Sequence, residues 1–468
     1  MKNLIGNEWK DSSNSQVINV FNPSTNDIID TIPDSTISDV ISTIIIAKDN
    51  FKVWRSFSFD ERVSIFHKFL KLLKINKKDI ALLLSRESGQ IINESVEQVN
   101  NIEVILNLII ENASVIIKDH DQKINNNLEL KLLEPLGVVG IILSSSDVIY
   151  SFCYKVFSSL IMGNVVVLKP SEVIPLTLTK LTYLLRLSGV PVGGIQVVHG
   201  RGNVVGKTLA MHPFVKAVVL DGDLKTGLNI RSSTSKKLGK EILELNGNDA
   251  LVLCSDGDVS KAVDFTINSR LKQSGQSSCG PKRFIIHESL KEEYLTKLFA
   301  SLRNIKIGDP LDQNNHLGCL VSVDRAKQVE AYVNKTLQEG AELLYGGHRY
   351  HNFFEPTVLY NINKDVSIMK TLEVLGPVIP IIAFNNLDEA IQIANNIPYG
   401  INNYVFTKNM DSVFYSMKKL ESSNIIVNPK VNSILYDFGG WKLSGSNSSG
   451  INELLKKLSI SKNIKLDS

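Results

Sequence analysis

The 468-residue sequence predicts an α/β protein built on a parallel sheet, on three observations. From residue 137 onward, short continuous β-branched runs such as "GVVGIIL" (137–143) and "NVVVLKPSE" (164–172) mark strands buried on both faces. Apolar stretches at helical spacing separate these runs, which implies right-handed βαβ units. The chain is also too long for one core, and a second alternating region begins near residue 250.

Taken in order, the first 120 residues read mostly as helix. "STISDVISTIIIAKDNFKVW" places Val40, Ile44, Ala47 and Phe51 on one face, with Ser35 or Thr36 as N-cap. "FDERVSIFHKFLKLL" repeats the pattern with Val63, Phe66, Leu70 and Leu73, and His67 beside the stripe reads as a packed helical histidine. After strand 137–143 comes a helix carrying Phe152, Val156 and Leu160, then strand 164–172 and a helix through "LTKLTYLLRLS". Strand "IQVVHG", helix "NVVGKTLAMH", and strands "VKAVVLDGD" and "EILELNGND" follow. Ligands of such sheets bind beyond the carboxyl ends of the strands, here Lys169–Glu172, Gly200–Gly202, Asp221–Asp223 and Glu244–Asn248. Between 250 and 435, "LVLCSD", "RFIIHE", "AELLYGG", "PVIPIIAF", "NNYVFT" and "NIIVNP" read as strands of the second region. The alternating "SISKNIKLD" is a late edge strand, with "LELKLLEP" (128–135) as its expected partner.

The charge balance, 51 basic against 48 acidic residues for a net +3, points to neither nucleic acid nor an anionic membrane as partner. The start lacks an apolar signal core. The longest apolar candidate, Glu103 to Ile117, is interrupted by Asn107, Glu111 and Asn112, so no membrane span is expected. Cys153, Cys254, Cys279 and Cys319 are widely spaced and form neither a disulfide framework nor a metal-ligand pattern. A reduced, cytoplasmic protein without metal is the expectation.

Eleven stretches occur in the order of one family: "EPLGVVGIIL", "MGNVVVLKPSE", "GVPVGGIQVVHGRGNVVG", "MHPFVKAVVLDGD", "LELNG", "SGQSSCGPKRFIIH", "IGDP", "FFEPTVL", "LEVLGPVIPI", "IPYGINNYVFT" and "FGGWKLSG". Between about residue 5 and residue 463 the chain thus resembles the aldehyde dehydrogenase superfamily. The resemblance implies a Rossmann-like cofactor domain (1–124 and 137–247), a catalytic domain (248–435) and a small oligomerisation β-element (125–136 and 450–468) in a homodimer or homotetramer. It implies oxidation of a small-molecule aldehyde to an acid by NAD, with NADP less favoured. A cysteine thiolate attacks the carbonyl, an amide and a backbone N–H hold the oxyanion, and a glutamate activates the hydrolytic water.

Residue by residue, Glu244 in "LELNG" falls on the water-activating glutamate. Lys169 falls on the lysine of the adenosine ribose, and Glu172 on a glutamate that favours NAD by repelling the extra phosphate of NADP. Ser171 lies between them; Gly202, Gly206 and Gly222 fall on cofactor turns, and Glu373 on the carboxylate of the nicotinamide ribose.

The departures concern the reacting atoms. Where the family has Pro-Trp-Asn-Phe-Pro, this chain has "SSSDV" (144–148), which puts Ser146 on the oxyanion asparagine. Loss of one such donor costs about 3–4 kcal/mol, roughly 100–1000-fold in rate. "LDGD" replaces the family's "FTGS" and brings Asp221 and Asp223 toward the expected diphosphate. Asn246 stands where the family has glycine. Counting from Gln276 or from Arg283 puts the catalytic cysteine at Ser278, with Cys279 one residue late. Three functions follow: aldehyde oxidation weakened by these substitutions, with Cys279 replacing the displaced thiol; a catalytically degenerate binding or scaffold partner on the same fold; and, least favoured, an esterase using Ser278.

Overall fold

The structure is a computed structural model and describes residues 1–118, 121–124, 127–371, 373–430, 439–445 and 450–466. Val138–Ile142 and Val165–Lys169 are buried at every position, as expected of parallel strands covered on both faces. They form the centre of a seven-stranded sheet in the order Lys240–Glu244, Val215–Asp221, Val138–Ile142, Val165–Lys169, Ile195–Val197, Asn3–Ile5, Glu8–Lys10. The first five strands are parallel. Strand order reverses between Val138–Ile142 and Val215–Asp221, and a crevice opens at such a point beyond the strand ends.

The last two strands of that sheet are antiparallel additions from the N-terminus, with Leu4 opposite Val197. The first 120 residues are mostly helix as expected, and these short strands are what that reading leaves out. Strands of three residues are too short to display a period of two, so the pattern left them invisible.

Three long helices cover the sheet. Ile37–Arg55 starts in a capping box of Thr36 and Asp39, and Phe59–Ser88 in one of Ser58 and Glu61, with Gly89 closing it in the left-handed conformation. The third, Ile92–Lys118, includes a stretch long and apolar enough by composition to cross a membrane, which the sequence reading had set aside. Its Val99, Ile102, Ile105, Leu106, Ile109 and Ala113 are buried in the core beneath the first sheet, which accounts for the apolar character without a bilayer.

A second seven-stranded sheet runs Glu342–Tyr345, Thr357–Tyr360, Val378–Phe384, Arg283–His287, Ala250–Leu253, Asn402–Phe406, Asn424–Val427. All its pairs are parallel except the first. Ser459–Leu466 pairs antiparallel with Asn127–Pro135, the partner expected from the sequence, and Asp121–Ile124 completes a three-stranded sheet. The four cysteines are free thiols.

Candidate active site

Four segments meet at the reversal point of the first sheet. They are the exit of Val138–Ile142, the ends of Val215–Asp221 and Lys240–Glu244, and the loop between helix Val259–Arg270 and strand Arg283–His287. That loop carries Ser278 and Cys279, and two buried arginines at its ends tie it to the neighbouring backbone. Arg270 donates to the carbonyls of Gly275, Val374 and Val378, and Arg283 to those of Asn248, Ile393 and Ala394. Gly275 has φ +78°, and a Cβ there would lie 2.2 Å from the Gly376 carbonyl carbon, so only glycine fits. Gln273 and Ser274 are also left-handed, at φ 52° and 57°, a strained run of the kind found at functional loops.

The adenosine end of the crevice is simple. Lys169 closes its strand, is almost fully buried, and lies 3.0 Å from Glu172 Oε1. The Gly202 N–H donates to the same oxygen at 2.9 Å. Ser171 accepts from the Val173 N–H at 3.4 Å. A Cβ on Gly202 would meet nothing within 4 Å, and on Gly206, the second residue of helix Val205–Met211, only Ile142 at 3.5 Å. An open wall beside a paired ammonium and carboxylate fits the hydroxyls of an adenosine ribose.

The middle of the crevice is filled from within. Asp223 caps helix Leu224–Ser235 by accepting from the Thr226 N–H at 2.7 Å, and Asn246 Oδ1 accepts from the Leu224 N–H at 2.7 Å. Both N–H groups belong to the first turn, where a diphosphate would dock. Gly222 instead donates its N–H to the Glu244 carbonyl at 3.1 Å. The Asn246 amide also donates to Glu373, whose other oxygen accepts from the Gly247 N–H at 3.3 Å and lies 3.5 Å from Lys282 Nζ. The adenosine end fits a dinucleotide; the diphosphate and nicotinamide-ribose seats do not, because the chain's own side chains hold those donors and that carboxylate.

At the reaction end, Asp147 is the hub. It stands where the family has phenylalanine, in a left-handed conformation with φ 46°. Its carboxylate accepts from Ser278 Oγ and the Ser278 N–H, both at 2.7 Å, from Ser277 Oγ at 3.0 Å and from Gln273 Nε2 at 2.6 Å. The hydroxyl at the nucleophile position is therefore bound to an anion. Cys279 lies 3.7 Å from it, with its N–H on Ser277 Oγ and its carbonyl on the Tyr404 hydroxyl. Burial, then the Asp147 charge, push the Cys279 thiol well above the usual range, the reverse of what an attacking thiolate needs. Ser146 is buried beside the loop and donates its N–H to Ser144 Oγ at 3.2 Å.

Glu244 ends its strand as expected, but its carboxylate is held 2.6 Å from Lys155 Nζ. Lys155 sits on the π-helical turn Cys153–Phe157, a helix irregularity common at functional sites. Burial opposes its charge, yet Glu244 and Asp221 outweigh burial and hold its pKa above the ordinary value. Asp221 corrects the sequence reading. It accepts from Ser151 and faces Lys155 at 4.0 Å, so it belongs to the reaction end and not to the diphosphate. Its strand ends one residue before the Gly222 turn, and the alternation of the strand sends its side chain inward.

Asp147, Lys155 and Lys282 were missed by sequence reasoning. Each had a signal: an acid in "SSSDV", the lone charge of the apolar run "FCYKVFSSL", and a lysine beside the conserved-frame Arg283 in "GPKR". Among the described residues no cluster of three metal-ligating side chains occurs.

The aldehyde dehydrogenase family model matches residues 9–464. D-glyceraldehyde dehydrogenase (NADP(+)) of Picrophilus torridus is 29% identical over 470 residues, covering 97% of this chain and 95% of the relative. A solved structure of 3,6-anhydro-L-galactose dehydrogenase in complex with NAP superposes with TM-score 0.94 at 27% identity, covering 100% and 99% of the two chains. A point mutant of betaine aldehyde dehydrogenase from Staphylococcus aureus, in complex with NAD+, superposes with TM-score 0.93 at 27% identity, covering 99% and 97%.

Proposed function

Because the chain belongs to the aldehyde dehydrogenase family, we propose that it is an aldehyde-oxidising enzyme of that family whose rate is strongly reduced by its own reaction centre. One observation carries this reading: the nucleophile position holds Ser278, with its hydroxyl donated to Asp147, while the neighbouring Cys279 thiol is pushed away from ionisation. Ser146 in the oxyanion position removes a further long-reach donor. Glu172 favours NAD over NADP, because its carboxylate lies beside Lys169, where a ribose phosphate would be repelled. The small sheet of Ser459–Leu466 and Asn127–Pro135 supports a homodimer or homotetramer, and the free cysteines support a reduced cytoplasmic setting.

The test is absorbance at the reduced-cofactor band with NAD or NADP and a panel of small aldehydes. Turnover at or below about 0.1 per second is expected, roughly 100-fold below the usual enzyme median; turnover near about 10 per second would overturn the reading. A second reading, a non-catalytic binding partner, is favoured by the Asn246 contacts, which hold Glu373 and a helix start at once. Hydrolysis of esters by Ser278 is disfavoured: Asp147 is shared among Ser277, Ser278 and Gln273 and serves as an anchor for the loop.

A further inference from the structure

We infer that Asn246 is a strap across the diphosphate and nicotinamide half of the crevice, so that the chain recognises adenosine monophosphate as well as it recognises a dinucleotide. The inference rests on the reading of the crevice as a nucleotide site. It deepens that reading by saying which end still discriminates.

The strap is built from one side chain and a pinned backbone. Asn246 Oδ1 takes the Leu224 N–H at 2.7 Å, and Nδ2 donates to Glu373 Oε2. Only this orientation of the amide satisfies both neighbours, since an N–H needs an acceptor and a carboxylate needs a donor. The amide therefore joins the start of helix Leu224–Ser235 to the far carboxylate, along the line a dinucleotide would take. The Asn246 carbonyl accepts from Ser444 Oγ at 2.7 Å, the Leu245 N–H donates to the Ser444 carbonyl at 2.7 Å, and the Gly247 N–H donates to Glu373 Oε1 at 3.3 Å. The backbone on both sides is fixed, so the amide can leave only by a side-chain rotation that breaks its bonds to Leu224 and Glu373. Lys282, 1% exposed, lies 3.5 Å from Glu373 and matches its charge, so the carboxylate has no unmet need for ribose hydroxyls. Asp223 adds its own carboxylate at the Thr226 N–H, in competition with a phosphate.

A glycine at 246 removes both amide bonds and frees the Leu224 N–H and one Glu373 oxygen. Nothing at the adenosine end touches Asn246: Lys169, Glu172 and Gly202 bond among themselves. The two halves therefore separate in a binding experiment.

The experiment is calorimetric titration of the full chain with adenosine monophosphate and with NAD, repeated on Asn246→Gly and Asn246→Ala, each checked for folding by thermal melting. For the native chain, the two ligands should have dissociation constants within about threefold of each other. Asn246→Gly should tighten NAD at least tenfold and adenosine monophosphate by no more than about threefold, because its single phosphate can reach the freed Leu224 N–H but not Glu373; Asn246→Ala should tighten NAD by less. If the native chain binds NAD at least tenfold more tightly than adenosine monophosphate, the strap is wrong while the nucleotide reading stands. If the variants fold but leave the ratio unchanged, the strap is likewise wrong. If neither ligand binds to the native chain or to either variant, both the strap and the nucleotide reading fall. The native ratio alone decides if both variants fail to fold.

Discussion

Two buried lysines face carboxylates from opposite ends of the same crevice, and they are held in different ways. Lys169 meets Glu172 three residues on, at 3.0 Å, and that carboxylate side chain is 34% exposed. Lys155 meets Glu244 at 2.6 Å and Asp221 at 4.0 Å, two carboxylates that end neighbouring paired strands far from it in sequence, at 16% and 19% exposure. The first pair is local and its carboxylate is partly open to solvent, so that carboxylate can exchange partners with a ligand at small cost. The second is a closed network, and each member is needed to neutralise the others. The adenosine end leaves a partly exposed carboxylate for a ligand, while the reaction end is self-satisfied polar structure.

The largest effect would come from rebuilding the reaction end. Ser146→Asn, Ser278→Cys and Asn246→Gly together should raise aldehyde-dependent cofactor reduction at least about 100-fold over the native chain. An unchanged rate would mean that the difference between the two ends lies in the backbone and not in these side chains.

Stability offers the next comparison. Lys155→Met leaves Glu244 and Asp221 buried without their cation and should cost about 3–5 kcal/mol in urea unfolding, the range for breaking a buried ion pair. Lys169→Met, beside a partly exposed glutamate, should cost about 1 kcal/mol or less from its ion pair. Equal losses would break the contrast. Asp147→Ala should fall between them, because several donors lose their acceptor at about 1–3 kcal/mol for each one left buried.

The smallest effect is in pH. Glu94, which accepts the Gln273 N–H at 2.9 Å beneath the nucleophile loop, is raised by burial to about 7 from 4.5. Lys272, Glu97 and Asp147 are the charges that face it. A carboxyl raised in the folded state contributes stability below its unfolded value and loses it as pH climbs to the folded one. Between about pH 4.5 and pH 7 Glu94 should therefore remove stability as pH rises, and because buried His199, lowered to about 3, acts in the opposite sense, the quantity to measure is the difference between chains: Glu94→Gln should lose less of its midpoint over this window than the native chain, by a few degrees. Parallel curves of midpoint against pH for the native chain and Glu94→Gln would contradict the assignment.

Local chemistry was legible. Continuous apolar runs announced nearly every strand of both sheets, and the Thr36 cap was visible because a cap is a contact between neighbours in sequence. "LKPSE" placed Lys169 and Glu172 at one strand end, and the structure adds that the two pair with each other. The N-terminal strands were not visible, since each is only three residues long and Asn3–Ile5 joins the sheet through Ile195–Val197, nearly two hundred residues away. Asp221 was assigned to the wrong end because its neighbour Asp223 caps a helix while its own side chain faces the opposite wall.

By itself, the sequence determined the fold class and the family frame, and counting from Gln276 and Arg283 gave the proposal that Ser278, not Cys279, stands at the nucleophile position. Those are matters of pattern and counting. Only the tertiary structure decided what surrounds that serine. Asp147 lies 131 residues from Ser278, Lys155 lies 89 from Glu244, and Asn246 lies 127 from Glu373. No spacing rule links residues so far apart, and a buried charge takes its meaning from whichever partner the fold delivers.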